Sequence, residues 1–283
     1  MSSRHRTQCR CHARVVSIGV VFGASDGLLV MVDGLKSEPV SGSVLRRVID
    51  VRQRKFAISP DVSAVVVLVG PAKLAGRDAY DWAEGALMAD ANGGTVPRTA
   101  KDIAAASIRD LEWALTLDNN SRRAHGYDPA SEIGGFVACV AGTERQGTAI
   151  GEVWTFAIDH QGVTGPSEAL GFADADRDTA WPFVAIPARP PYQDPEDDGL
   201  GQLPADVILE RFQSSLTGFR TTPLSFVRDV TDQEMAGLTI SMPGPFVRHG
   251  VGGSWTLIEL RVDARPAQFV RDWGPMPAEH SGL

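Results

Sequence analysis

The amino-acid sequence predicts a layered α+β fold, with helices stacked on a core of two β-sheets. Three observations carry this. Runs rich in β-branched residues recur between residues 15 and 69, with turn signals between them. Two stretches of helical periodicity follow one another. Strand-like runs then return. Strand runs separated by paired helices suit sheet layers with helices grouped on a face. With 283 residues and 43% hydrophobic content, the chain can bury a sizeable core.

The first element is a hairpin. Residues 15–22 and 28–33 of "HARVVSIGVVFGASDGLLVMVDG" are two valine- and leucine-rich runs around the turn "GASDG". Residues 34–47 form a polar loop rich in Gly and Ser. "VIDVRQRKFAIS" carries one or two short strands, and Pro60 and Asp61 make a turn. "SAVVVLVG" is nearly continuous in apolar residues, as a strand buried on both faces is.

Helices are predicted over about 72–90 and 99–117. Leu74, Trp82, Ala86 and Leu87 share a face of the first. In the second, Thr99 stands three residues before Asp102, a variant of the capping box. Ile103, Ala106, Leu111, Ala114 and Leu115 form its apolar stripe. "RRAHGYDPASEIG" is loop. "GFVACVAG" and "GEVWTFAID" return to strand, followed by the turn "HQG".

Residues 187–202 hold four of the chain's 18 prolines and a short acidic run, which marks an exposed insert. Pro204 suits the first turn of a third helix, which Ile208, Phe212, Leu216 and Phe219 continue. "GGSWTLIEL" is the last clear strand. The organisation expected is a flexible basic tail or propeptide at 1–14, a single domain at 15–265 and a C-terminal tail at 266–283.

Composition narrows the function. A net charge of −8 argues against a nucleic-acid binder, because little would neutralise phosphates over a broad surface. No apolar run approaches the roughly 20 residues that span a bilayer. The three cysteines, Cys9, Cys11 and Cys139, do not make a disulfide framework and point to a reducing, cytoplasmic setting. Cys9, Cys11 and His12 have no second ligand cluster downstream, so neither a metal nor a cofactor is expected. Arg4, Arg6, Arg10 and Arg14 before "VVSIGVVFGA" mimic a secretory signal. The valine-rich core and the immediate second run "LLVMV" favour the hairpin instead.

The succession "VSIGVVF…DGLLVMVDG…RKFAIS…VVVLVG", two helices, then "GGFVACVAG…GEVWTFAIDHQG" resembles a proteasome β-type subunit or its bacterial relative HslV. These are N-terminal-nucleophile (Ntn) hydrolases, and the resemblance covers roughly residues 15–260. It implies a four-layer αββα sandwich, an oligomer of like or unlike subunits, and a peptide or small molecule as ligand. In the active members it implies threonine-dependent peptide hydrolysis after a propeptide is removed. The freed α-amino group then serves as base for the hydroxyl or thiol of the same residue.

Carried over residue by residue, the resemblance puts the family aspartate at Asp33 and the oxyanion-hole glycine at Gly70. Counting back from Ile58 and Pro60 puts the family lysine at Arg54, with Lys55 one residue off. Neighbouring strand residues face opposite sides, so only one of the two can enter the site. The nucleophile falls on Val15 if the "GASDG" turn is two residues longer than usual, and on Ser17 if it is not. Phe172, Arg248 and Val251 occupy other family positions with unlike residues. His249 reads as a solvated loop histidine. These departures imply a degenerate site and a non-catalytic assembly or binding protein. The alternative is a self-processed peptidase or amidohydrolase with Ser17 as N-terminal nucleophile.

Overall fold

Ile18–Ala24 (β1) and Gly27–Asp33 (β2) form an antiparallel hairpin in which every residue of both strands is buried. Its turn is only Ser25 and Asp26. Burial on both faces explains why the two strands read as apolar runs rather than as an alternating pattern. The computed structural model describes residues 18–40, 46–59, 64–71, 73–88, 99–126, 132–145, 148–159, 162–171, 183–187, 222–237, 246–247, 253–261 and 267–272.

After the hairpin come Lys36–Pro39 (β3), Arg46–Asp50 (β4), Phe56–Ile58 (β5), Ala64–Val69 (β6), Lys73–Leu74 (β7) and Arg77–Asp78 (β8). Two helices follow, Ala79–Met88 (α1) and Ala100–Ala124 (α2). Glu132–Arg145 (β9), Thr148–Asp159 (β10), Gly162–Gly171 (β11) and Phe183–Pro187 (β12) precede the helix Leu224–Gly237 (α3). Phe246–Val247 (β13), Ser254–Arg261 (β14) and Ala267–Asp272 (β15) are the last described elements.

Among the described residues there are two five-stranded sheets, ordered β12-β1-β2-β14-β15 and β11-β10-β9-β6-β5. Their pairings are antiparallel. The chain is thus an α+β protein with antiparallel sheets. A shared core lies between them: Val21, Val30 and Ile258 of one sheet pack with Val67, Phe136 and Val153 of the other. The approach is close at Gly19, where an added Cβ would lie 2.6 Å from the Phe136 ring.

Helices α1 and α2 cover the other face of the second sheet through Trp82, Ile103, Leu111 and Leu115, against Val66, Leu68, Val137 and Phe156. On β14, Ile258 and Leu260 join the core between the sheets. Glu259, between them, pairs with Arg228 of α3 at 3.1 Å. Alternation along the strand therefore puts α3 on the far side of the first sheet. Asp26 of the hairpin turn caps this helix, its Oδ1 accepting from the Leu224 N–H at 2.7 Å.

Several sequence expectations change. The first helix starts at Ala79 rather than 72, because residues 73–78 make a small hairpin. Ala75 and Gly76 form its turn with φ of 48° and 80°, the positive pair that a type I′ turn needs. The second helix runs on to Ala124, past its apolar stripe, with an Arg122–Asp118 pair at 2.7 Å in the extension. The supposed loop at 34–47 contains β3. The supposed tail at 266–283 contains β15, an edge strand of the first sheet. The helix predicted at 204–219, and the insert at 187–202 beyond Pro187, lie outside the described residues. No helix among the described residues is long and apolar enough to cross a membrane.

Candidate functional site

Asp33 ends β2 opposite Trp255 of β14, and its side chain is fully buried. A carboxylate in that position must be compensated, since an unpaired buried charge is very costly. Donors among the described residues compensate it. The Ile18 N–H donates to Asp33 Oδ1 at 2.9 Å. Lys55 Nζ donates to Oδ1 and Oδ2, both at 3.0 Å. Burial pulls the Lys55 ammonium below its ordinary range, and the charge and hydrogen bonds of Asp33 offset part of that pull.

Lys55 stands just before β5. Its carbonyl accepts from the Leu68 N–H at 3.0 Å, which extends the β5–β6 ladder by one residue and fixes the strand's entry. Its side chain turns inward and is buried. Arg54 does the opposite. It is exposed, with its guanidinium 4.3 Å from the centre of the Tyr80 ring on α1 and 5.0 Å from that of Phe56. The residue count that selected Arg54 is corrected: of the two basic residues, Lys55 faces Asp33. The count fails because residues 51–55 are not strand, so parity cannot be carried through them.

The stretch between Asp33 and Lys55 is a flap built on the β3–β4 hairpin, with β13 added along β4. Its base is tied next to the pair. Gln53 N–H donates to the Gly34 carbonyl at 2.8 Å, and Ser254 N–H to the Val51 carbonyl at 2.7 Å. Gly34 and Gly253 let these backbones meet; a Cβ on Gly253 would lie 2.5 Å from the Val51 oxygen.

Gly70 follows β6 with φ of 139°, a conformation that favours glycine. Leu68, paired with Lys55, stands two residues before it, so Gly70 lies at the same end of the strands as the charged pair. Ser17 and Val15 lie outside the described residues, as do Phe172, Arg248, His249 and Val251. One covalent fact bears on the first two. The nitrogen held by Asp33 belongs to the Ser17–Ile18 peptide bond, whereas Val15 is two residues further back.

Chemically, the arrangement offers a buried carboxylate, a cation whose charge burial disfavours, and the Ile18 backbone amide held by that carboxylate. No family model matches the chain, and no curated protein matches it. Solved structures do. A structure described as a helical assembly of the Anbu complex from Pseudomonas aeruginosa aligns with a TM-score of 0.51 and 12% identity, over 93% of this chain and 88% of that one. The fold is shared with Anbu. Anbu (ancestral beta-subunit) from Yersinia bercovieri aligns at TM-score 0.49 and 14% identity, over 90% of this chain and 87% of that one. These findings correct the resemblance drawn from the sequence. The neighbours are Anbu proteins, a proteasome-related family distinct from proteasome β-type subunits and HslV. The misreading has a simple cause: a hairpin ending in Asp, a buried strand ending in Gly and a helix pair are features of the shared architecture, not of one family within it.

Proposed function

We propose that the chain is a self-processing N-terminal-nucleophile hydrolase of proteasome-related fold, with Ser17 as nucleophile after scission of the Val16–Ser17 bond. The single observation that carries the reading is the Ile18 N–H bound to Asp33, which is itself bound to Lys55. An Anbu-like fold supports the finer assignment of the layers to a four-layer αββα Ntn sandwich. The low cysteine count supports a cytoplasmic setting.

The chemistry follows from the residues. A freed Ser17 α-amine would titrate near 8 if unperturbed. A cation such as Lys55 beside it lowers that value, so more of the amine is neutral and able to accept a proton. The Ser17 hydroxyl attacks an amide carbonyl while its proton passes to the α-amine. The Gly70 N–H is the candidate donor to the oxyanion. The leaving amine takes the proton, and water releases the acyl group. Asp33 holds Lys55 in place throughout.

Intact mass and turnover test this together. The purified protein should lack the 16 residues before Ser17 and should cleave fluorogenic peptides. Ser17→Ala should abolish both. A chain that keeps Met1 and cleaves nothing would sink the proposal. A second reading would then stand, favoured by the unlike residues Phe172, Arg248 and Val251: a non-catalytic assembly or binding protein in which Asp33–Lys55 is structural. Either reading is proposed for an oligomer, as the Pseudomonas aeruginosa Anbu forms a helical assembly. Sedimentation that finds only a monomer at micromolar concentration would exclude that part.

A further inference from the structure

Among the described residues, the two five-stranded sheets end in the edge strands β12 and β15, and β11 and β5. An edge strand presents unpaired N–H and C=O groups, and proteins blunt such edges with short strands, proline, bulges or charge. β11 contains Gly165 and Pro166 and pairs irregularly with β10. β12 ends in Pro187, opposite Ile18. β5 is three residues long. β15 has none of these devices. It is six residues, AQFVRD, without glycine, proline or lysine, and no described strand lies along its outer edge. Its basic residue, Arg271, is drawn to Asp232 of α3 at 3.4 Å, over the face of the sheet. Val270 is 53% exposed, and Gln268, on the same face of the strand, is exposed as well.

The strand is self-complementary in one antiparallel register. Directly opposed residues share a face, so a two-fold axis between two copies must fall on a residue and not between residues. Placed at Val270, the axis sets Val270 against the second copy's Val270, and Phe269 against the second copy's Arg271. The two valines then cover each other's exposed surface. Phe269 and Arg271 already meet within one chain, with the guanidinium 5.8 Å from the ring centre, and this register repeats that contact across the axis. Two-fold symmetry makes each contact occur twice. Moving the axis to Phe269 sets Val270 opposite Gln268 and Arg271 opposite Ala267, so an apolar side chain faces a polar one and the cation faces no ring.

We infer that a second copy of this chain docks on the outer edge of β15, antiparallel and with the two-fold axis at Val270, so that the first sheets of two subunits form one continuous sheet. The inference rests on the proposed oligomer and names one of its surfaces; it is the same for either reading of the catalytic centre. Opposed residues have Cα atoms about 4.5–5.5 Å apart, within the span of a disulfide. Val270→Cys should therefore give a species of twice the subunit mass on non-reducing gels after mild oxidation. Gln268→Cys is the control. It is exposed on the same face, but two residues from the axis, so the two copies' Cα atoms lie roughly 13 Å apart and should not cross-link. Both variants are made with Cys9→Ser and Cys11→Ser, which leaves only the buried Cys139 besides the new thiol. Val270→Lys sets like charges opposite each other and should sediment as a smaller particle than the wild type, with an unchanged circular dichroism spectrum. Cross-linking of Gln268→Cys as fast as that of Val270→Cys, or a folded Val270→Lys that sediments like the wild type, overturns the inference. A wild-type oligomer in which Val270→Cys stays unlinked fails the inference and leaves the oligomer standing. A monomeric wild type fails both, and slow amide exchange along β15 in that monomer would show that another segment of the same chain covers the edge.

Discussion

Lys55 reaches both carboxylate oxygens of Asp33 at 3.0 Å, and neither side chain is open to solvent. Removing one partner of such a pair leaves the other charge buried and uncompensated. Lys55→Met is therefore predicted to cost about 3–5 kcal/mol in urea unfolding. The double variant Asp33→Asn/Lys55→Met removes both charges and should recover much of that loss. A Lys55→Met protein as stable as the wild type would mean that the pair does not hold the hairpin to β5.

Much of this arrangement can be read from the sequence. Asp33 stands at the end of a β-branched run, and Gly70 at the end of another. The elements between them could not be read so easily. Lys55 and Arg54 are indistinguishable by composition, and the non-strand stretch at 51–55 breaks the alternation that would separate them. Helix α3 buries Leu224, Val227, Thr231 and Met235, so a polar threonine interrupts its apolar stripe. Its cap comes from Asp26, 198 residues earlier, which no local pattern can reveal. Strand β11 is an exposed edge containing Gly and Pro, so it carries neither a buried-strand run nor regular alternation.

Gly34 shows what the base of the flap demands. A Cβ there would lie 2.8 Å from the Ser254 oxygen and 2.9 Å from the Val51 oxygen, both backbone atoms. Gly34→Ala should cost on the order of 1–3 kcal/mol, as overpacking against unyielding neighbours does. Gly85, on an exposed face of α1, has nothing within 4 Å of such a Cβ. Gly85→Ala should gain roughly 0.5–1 kcal/mol from helix propensity. Equal and small effects at both positions would show that the flap base can yield.

Thr99 closes the start of α2 with a reciprocal cap. Its hydroxyl accepts from the Asp102 N–H at 3.2 Å, and its own N–H donates to Asp102 Oδ2 at 3.3 Å. Thr99→Ala should lower stability by about 1 kcal/mol. Thr99→Ser, which keeps the oxygen, should lose much less. If both variants match the wild type, packing against the second sheet alone holds this end of the helix.

Cys139 provides the pH-dependent test. It lies on β9, paired across the ladder with Ala64 and Glu152, and is buried against the helix layer. Burial pushes its thiol from 9.0 up to about 11, with a smaller push from the charge of Glu152. Below pH 9 the thiol is protonated in both folded and unfolded chains, so its contribution there does not vary. Between 9 and 11 the unfolded chain releases the proton while the folded chain keeps it. The folded state then binds more protons, and stability falls as pH rises through that window. A shift of this size corresponds to a loss on the order of 2 kcal/mol by its upper end. Urea unfolding of wild type and Cys139→Ala at pH 8, 9.5 and 11 should show the wild type losing ground on the alkaline side. Iodoacetamide at pH 8, followed on the Cys139 peptide by mass spectrometry, should label the thiol only after unfolding, because the thiolate is the reactive form. Rapid labelling of the native protein, or parallel pH profiles for the two proteins, would place Cys139 in contact with solvent and contradict the packing of α2 over β9.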